Sequence, residues 1–374
     1  ATLAYNFRKL LNKYAKETTG STEFVQWQGH DFSMRGMPSL ESAILSGMAH
    51  LTSFTGTDTI PAIYALESSY KATGLVGASV PATEHSVMCM GTKESEIETF
   101  RRLLNLYPTG ILSVVSDTWD LWKVLTEYLP ALKEEILTRD GKLVIRPDSG
   151  NPVDIICGTK NEVIGGSLRD EEKNTNYRYL HESKGVIELL WDVFGGTVNE
   201  QGYKVLDSHV GAIYGDSITM KRAEEICERL KAKGFASTNI VLGIGSMTYT
   251  GGETSQGNQY WITRDTFGFA MKATYGEIAH DKLDREEGSM GPWLEAREIF
   301  KDPITDDGTK KSKKGLLRVD YEANTIHDKQ PLIVCADQQT WEQEKQGLLQ
   351  TVFLDGDLVK ETTLEEIRQR LNEN

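Results

Sequence analysis

The stretch HVGAIYGDSITMKRAEEICERLKAKG, residues 209–234, decides the fold. His209 to Tyr214 is an apolar run with the length of a buried strand, and Gly215-Asp216-Ser217 is a polar turn. Beyond the turn, Ile218, Ala223, Ile226, Cys227 and Leu230 recur at helical spacing, and Gly234 stands where such a helix stops. Glu225 and Arg229 are spaced as an i,i+4 pair on its wet face. Strand, acid-bearing turn and helix together form the unit from which parallel sheets are built, because a crossover helix is what joins parallel neighbours.

The same unit recurs to either side. Ile111 to Val115 reads as a strand, with Ser116 and Asp117 as turn and N-cap of a helix from Trp119 onward. Leu143 to Ile145 reads as a strand that ends in the rigid turn Arg146-Pro147-Asp148-Ser149-Gly150-Asn151-Pro152. Asn239 to Leu242 leads into the small-residue loop Gly243-Ile244-Gly245-Ser246. This repetition predicts an α/β protein built as an irregular (β/α) barrel, with an open doubly wound sheet as the alternative. Two segments break the rhythm. Gly158 to Lys184 is polar and reads as an insertion, and Lys301 to Lys314 is a lysine-dense loop. Leu316 to Asn374 reads as strands and a final helix from Leu364.

Composition removes several classes. With 374 residues, 39% hydrophobic, 26% charged, 34 Gly and only 10 Pro, the chain is too apolar to be disordered and has no collagen-like or coiled-coil bias. A formal net charge of −14 disfavours non-specific binding to nucleic acid or to an anionic membrane. The four cysteines, Cys89, Cys157, Cys227 and Cys335, form no CxxC pair, which points to a reducing compartment. No run has the length of an apolar span, and Ala1 to Lys16 lacks a signal-peptide core, so a cytoplasmic location is expected.

In either fold the ligand site falls at the carboxyl ends of the strands, where the turns carry Asp31, Asp58, Asp117, Asp148 and Asp216. Any one of these acids alone is an ordinary turn former or N-cap. Five on one rim suit sugar hydroxyls or a hydrated divalent cation such as Mg2+. Arg35, Arg146, Arg264 and Lys272 suit phosphate, Arg through its planar fork. The turns at Gly215 and at Gly245-Ser246 either present backbone N–H groups to an anion or are simply tight turns. Lys310, Lys311, Lys313 and Lys314 read as a solvated loop. His85, next to Glu84, is the histidine best placed for chemistry, and His30 has a similar claim. Phe32 is either a stacking ring or a core residue. Residue chemistry alone thus reaches an α/β enzyme for a phosphorylated sugar or nucleotide, with magnesium, and names no reaction.

Seven strings taken together are more specific: HDFSMRG (30–36), GTDT (56–59), SVPATEHS (79–86), SVVSDTWD (113–120), IRPDSGNP (145–152), YGDS (214–217) and FKDP (300–303). In this order they resemble the nicotinamide phosphoribosyltransferases of the type II phosphoribosyltransferase family, over nearly the whole chain from Tyr14. The resemblance implies transfer of a phosphoribosyl group from phosphoribosyl pyrophosphate to nicotinamide with Mg2+, on a homodimer with interfacial sites. It implies an irregular barrel over 21–315, with 158–184 as an insertion, and a partial second α+β domain from residues 1–20 and 316–374. His85 would be phosphorylated by ATP, supported by Glu84 and Asp117. Asp58 would receive the carboxamide of nicotinamide and Phe32 would stack on its ring. Arg35 and Arg146 would hold pyrophosphate, and Asp148 and Asp216 would meet ribose hydroxyls or magnesium. Gly215, Gly245, Ser246 and Arg264 would grip the 5′-phosphate, with Lys272 retained beside them.

The chain also departs from the pattern. Only 13 residues precede Tyr14, where the family carries a longer segment with an aromatic that covers the pyridine from the other subunit, so the expectation is either that a separate chain supplies that piece or that this chain is incomplete. Ser246 stands where a second glycine is common, Met247 to Ile262 is long, and Ala270 replaces a serine. Nicotinate phosphoribosyltransferase and a non-catalytic mononucleotide-binding subunit are the competing functions.

Overall fold

The computed structural model describes residues 1–159, 175–215, 217–253, 259–263, 266, 272–280, 293–306, 312–327 and 330–372. Its centre is a parallel sheet. The strands in chain order are β1 (Gly29–Asp31), β2 (Gly56–Thr57), β3 (Thr109–Val115), β4 (Asp140–Arg146), the hairpin pair β5 (Gly196–Val198) and β6 (Lys204–Leu206), β7 (Val210–Tyr214) and β8 (Ile240–Ile244). Six of them pair in the order β2-β1-β8-β7-β4-β3, every pair parallel. Every residue of β7 is buried, which is why that strand reads as a continuous apolar run rather than an alternation.

The sheet closes on itself through a stretch too irregular to count as a strand. Ala78 bridges to Gly56 of β2, and Ala82 bridges to Ser113 of β3, both in parallel sense. Backbone bonds fix the two seams: Thr57 N–H to Ala78 O (3.0 Å), Ala78 N–H to Thr55 O (2.9 Å), Thr83 N–H to Ser113 O (3.0 Å) and Ser113 N–H to Pro81 O (2.9 Å). Pro81, which has no N–H to give, uses only its carbonyl. The expected irregular barrel is therefore what forms, and the open sheet is not.

Helices cover the outside of the ring. Helix Met220–Ala232 buries Ala223, Ile226, Cys227 and Leu230 of the predicted stripe, while Ile218, also buried, lies ahead of it because Thr219 is the cap, accepting from the Arg222 N–H. Full burial of Ile226 and of Leu230 contributes about 1.5–3 kcal/mol each. Arg229 of this helix reaches Asp154 at 2.7 Å instead of the expected partner Glu225. The N-terminal helix Thr2–Thr19 turns Phe7, Leu11 and Tyr14 into the same core and ends at Gly20 with φ 72°. Tyr14 Oη donates to Glu228 at 3.0 Å, which ties the two helices together. The helix expected from Trp119 starts instead at Leu121, capped by Asp120, because Asp117 is buried and bonded elsewhere. Of the expected insertion, residues 160–174 lie outside the described residues, and a helix with a break at Gly185 runs from Thr175 to Phe194.

Contacts divide the chain into one unit of Ala1–Met271 with Lys301–Lys310 and another of Lys272–Phe300 with Lys311–Asn374. The expected boundaries were residues 1–20, 21–315 and 316–374. The second unit holds antiparallel pairs Tyr275–His280 with Trp293–Glu298 and Leu316–His327 with Gln330–Gln339, and the helix Leu364–Asn372. Among the described residues no helix is long and apolar enough to cross a membrane. The packing of the N-terminal helix is directly testable: Phe7→Ala, at a fully buried position, should lower unfolding stability by about 3–5 kcal/mol in urea denaturation.

Candidate active site

Each strand of the ring delivers its loop to the same end. Asp58 follows β2, Glu84 and His85 follow the closing stretch, Asp117 follows β3, Asp148 follows β4, Gly215 follows β7, and Gly245 and Ser246 follow β8. A cavity of about 330 Å³ opens there, lined by Phe32, Met34, Arg35, Asp58, Glu84, Arg146, Asp148 and Gly215. All of these except Met34 were singled out in the sequence.

Two of the acids are held by neighbours in ways that set their charge. Asp58 Oδ1 lies 2.9 Å from His30 Nε2 and accepts from Ser79 Oγ at 2.6 Å. Burial works to raise its pKa, but those hydrogen bonds and the charges of His30 and Arg146 outweigh it and hold the carboxyl below its ordinary range. Asp31, by contrast, is a brace: Oδ1 accepts the Ser33 N–H at 2.9 Å and Oδ2 accepts from Thr59 Oγ1 at 2.8 Å, the ordinary turn role. Phe32 reaches the cavity by lying over β8, since a Cβ on Gly243 would fall 2.7 Å from its ring. Arg146 is almost buried, and its Nη2 donates to the Thr83 carbonyl at 2.7 Å and stands 3.6 Å from Glu84 Oε1. Arg35 is exposed.

His85 is oriented from behind. Its Nε2 is 3.2 Å from Asp117 Oδ1, and Asp117 Oδ2 accepts the Asp148 N–H at 2.8 Å and Ser149 Oγ at 2.6 Å. Asp117 is fully buried, which by itself would raise its pKa, yet the bonds from His85, Ser149 and Asp148 keep the carboxyl below its usual range. This is an imidazole fixed by an anion, a common way to present the other ring nitrogen to chemistry. Near it, Glu96 is buried with no hydrogen-bond partner on Oε1 among the described residues. Burial, with the charges of Asp120 and Asp117, pushes its carboxyl up to about 8 against the pull of Lys123 and Lys93.

The remaining expected phosphate groups divide. Gly245 and Ser246 stand where β8 gives way to the short helix Ser246–Thr250, with Ser246 buried. Asp216 and Arg264 lie outside the described residues, and Lys272 belongs to the second unit. Lys313 donates to the Cys335 carbonyl at 2.7 Å and Lys314 lies over the Phe300 ring at 4.7 Å, both within that unit, while Lys310 and Lys311 are outside the described residues. Sequence reasoning gave no role to Met34, Ser79 or Ser149, although they sit inside the strings HDFSMRG, SVPATEHS and IRPDSGNP. Their only signal was adjacency to a chemical residue, because a serine that orients a carboxylate has no spacing of its own.

A closed parallel ring whose strand ends gather carboxylates, arginines and an aromatic ring around one cavity defines an α/β barrel with its candidate ligand site at the carboxyl ends of the strands. Residues 27–357 match the profile of the "Nicotinate phosphoribosyltransferase (NAPRTase) family", and the chain belongs to that family. It is 51% identical over 378 residues to a protein of Acinetobacter baylyi named nicotinamide phosphoribosyltransferase, covering 99% of this chain and 66% of that protein. Proteins of the same name from Mycoplasma pneumoniae and Xanthomonas campestris are 42% and 32% identical, over 84% and 98% of this chain and 58% and 68% of their own lengths. The chain thus spans about two thirds or less of the length of most of these relatives.

Glu96 generates a stability prediction. Its folded-state pKa of about 8 lies above the ordinary 4.5, so the unfolded chain releases a proton that the fold retains. Its contribution is therefore fully present below about pH 4.5 and is lost as pH rises towards 8, at up to roughly 1 kcal/mol per pH unit. Glu96→Gln should flatten the slope of urea stability between pH 5 and 8.

Proposed function

We propose that the chain catalyses phosphoribosyl transfer from phosphoribosyl pyrophosphate to nicotinamide, giving nicotinamide mononucleotide and pyrophosphate, as a cytoplasmic enzyme of NAD salvage. The observation that carries this reading is the lining of a single cavity by Phe32, Asp58, Arg35, Arg146 and Asp148. The names of the relatives support it.

Breaking the bond from C1′ to pyrophosphate builds positive charge on the ribose and negative charge on the leaving group. Arg35 and Arg146 hold the pyrophosphate, and the near-burial of Arg146 strengthens its effect on the developing charge. Phe32 stacks on the pyridine and aims its weakly nucleophilic nitrogen at C1′. Asp58 accepts from the carboxamide N–H₂, and as an anion it repels the carboxylate of nicotinate. Gly215, Gly245 and Ser246 take the 5′-phosphate, the group to which the family resemblance also assigns Arg264. Asp148, with Asp216, meets ribose hydroxyls or magnesium.

Among the described residues no cluster of three or more His, Cys, Asp and Glu side chains is gathered for a metal. Asp148, which lines the cavity with Arg146, fits Mg2+ carried in on phosphate, since magnesium keeps several waters and takes one or two carboxylates. Bound there it would neutralise charge on the departing pyrophosphate. His85 takes the γ-phosphoryl group of ATP: an Nε2–H donated to Asp117 leaves the Nδ1 lone pair as the nucleophile, with ADP leaving and Glu84 alongside. A homodimer fits the exposed Leu40, Leu45, Ile60 and Tyr64 on helices Leu40–Leu51 and Ile60–Tyr70. The outer face of the pyridine is then covered by a second polypeptide, either the partner copy or a separate chain.

The test is an assay of product mononucleotide with nicotinamide or nicotinate, phosphoribosyl pyrophosphate and Mg2+, with and without ATP. Nicotinamide should be preferred, and preference for nicotinate would replace this reading with the acid-specific one. Binding of mononucleotide without turnover would replace it with a non-catalytic subunit. His85→Ala should abolish the stimulation by ATP while leaving slower basal transfer. Asp58→Asn should lower kcat/KM for nicotinamide roughly 10- to 100-fold and narrow the gap to nicotinate.

A further inference from the structure

We propose that His30 is a positioning residue that sets the Asp58 carboxylate for selecting a neutral amide over an anionic acid, an inference that rests on the reading of Asp58 just given. His30 touches both parts of the site expected to hold the base. Its Nε2 lies 2.9 Å from Asp58 Oδ1, and its ring centroid is 4.6 Å from that of Phe32 at an interplanar angle of 43°. The ring owes its place to a missing side chain, because a Cβ on Gly56 would fall 2.7 Å from His30 Nδ1.

These contacts divide the work of the carboxylate. Oδ1 receives both His30 Nε2 and Ser79 Oγ, the latter at 2.6 Å, while Oδ2 has no hydrogen-bond partner among the described residues and Asp58 lines the cavity. The Asp58 side chain is about half exposed (47%), so without a tether it would rotate and let solvent share its charge. Anchored through Oδ1, the carboxylate keeps Oδ2 for an incoming N–H donor and stays anionic, which is what repels a carboxylate ligand. His30 thus acts through Asp58 and needs no contact with the ligand.

The experiment uses the whole chain with wild type, His30→Ala and His30→Gln. Gln keeps an N–H donor near the position of Nε2 but cannot carry charge. Steady-state assays with nicotinamide and with nicotinate give the ratio of their kcat/KM values, and carboxyl NMR titration of Asp58 reads the contact without any ligand. We expect His30→Ala to reduce the amide-to-acid preference roughly tenfold, with KM for nicotinamide rising more than kcat falls, and to raise the Asp58 pKa. His30→Gln should recover most of the preference. An unchanged preference in His30→Ala, or an Asp58 titration that does not move, overturns the inference while leaving the functional reading intact. A wild-type chain that turns over neither base overturns the functional reading, and the role in selection falls with it.

Discussion

The buried carboxylate of Asp117 is the tie on which the site depends. A fully buried anion is costly unless its oxygens are saturated, and here they are: one meets His85, the other meets Ser149 and the backbone of Asp148. Those partners come from the loop after the closing stretch and from the loop after β4, while Asp117 itself belongs to the loop after β3. One charge therefore fixes three loops that come from distant parts of the chain, and each of those loops brings a residue that lines the cavity or stands beside it. The same arrangement makes the site intolerant of partial disruption, because removing any donor leaves a buried charge short of solvation.

The charges around the cavity are arranged by height in the ring rather than scattered. Arg146, the last residue of β4, is sunk against the Thr83 carbonyl, so its charge acts where solvent is scarce. Asp58, just beyond β2, is partly open and is kept anionic by His30 and Ser79. Asp31 looks like a member of the same acidic rim in the sequence, yet it spends both oxygens on Ser33 and Thr59. Burial and partners, not residue type, separate the acid that faces the cavity from the acid that braces a loop.

Much of the barrel was legible because β7 is buried throughout and β8 nearly so, while β3 and β4 bury their carboxyl-terminal halves, so that each reads as an apolar run followed by a polar turn. β1 and β2 were not legible, being three and two residues long, too short for any periodicity. The closing stretch from Ala78 to Ala82 was only partly legible: the residues before Pro81 read as a strand, but the stretch pairs by isolated bridges, and its sequence, Ala-Ser-Val-Pro-Ala, carries a proline that argues against a continuous one. The cluster of Phe32, Arg35, Asp58, Glu84, Arg146, Asp148 and Gly215 was legible because chemistry-bearing side chains stand at strand ends. The supports, Ser79, Ser149 and the Thr83 carbonyl, were not, since nothing in a sequence marks which hydroxyl or carbonyl a distant side chain will find. Asp117 shows the failure from the other side: at the end of a strand it looks like a helix cap, and only burial reveals that Asp120 has that task.

The stretch that closes the ring is held by four backbone bonds, two to each neighbouring segment. It is a narrow stave of the barrel that carries Ser79 near one end and leads into His85 at the other. A change in this stave would therefore reach the clasp on Asp58 and the imidazole beside Asp117 together. One short, proline-bearing segment thus couples the support of Asp58 to the placement of His85.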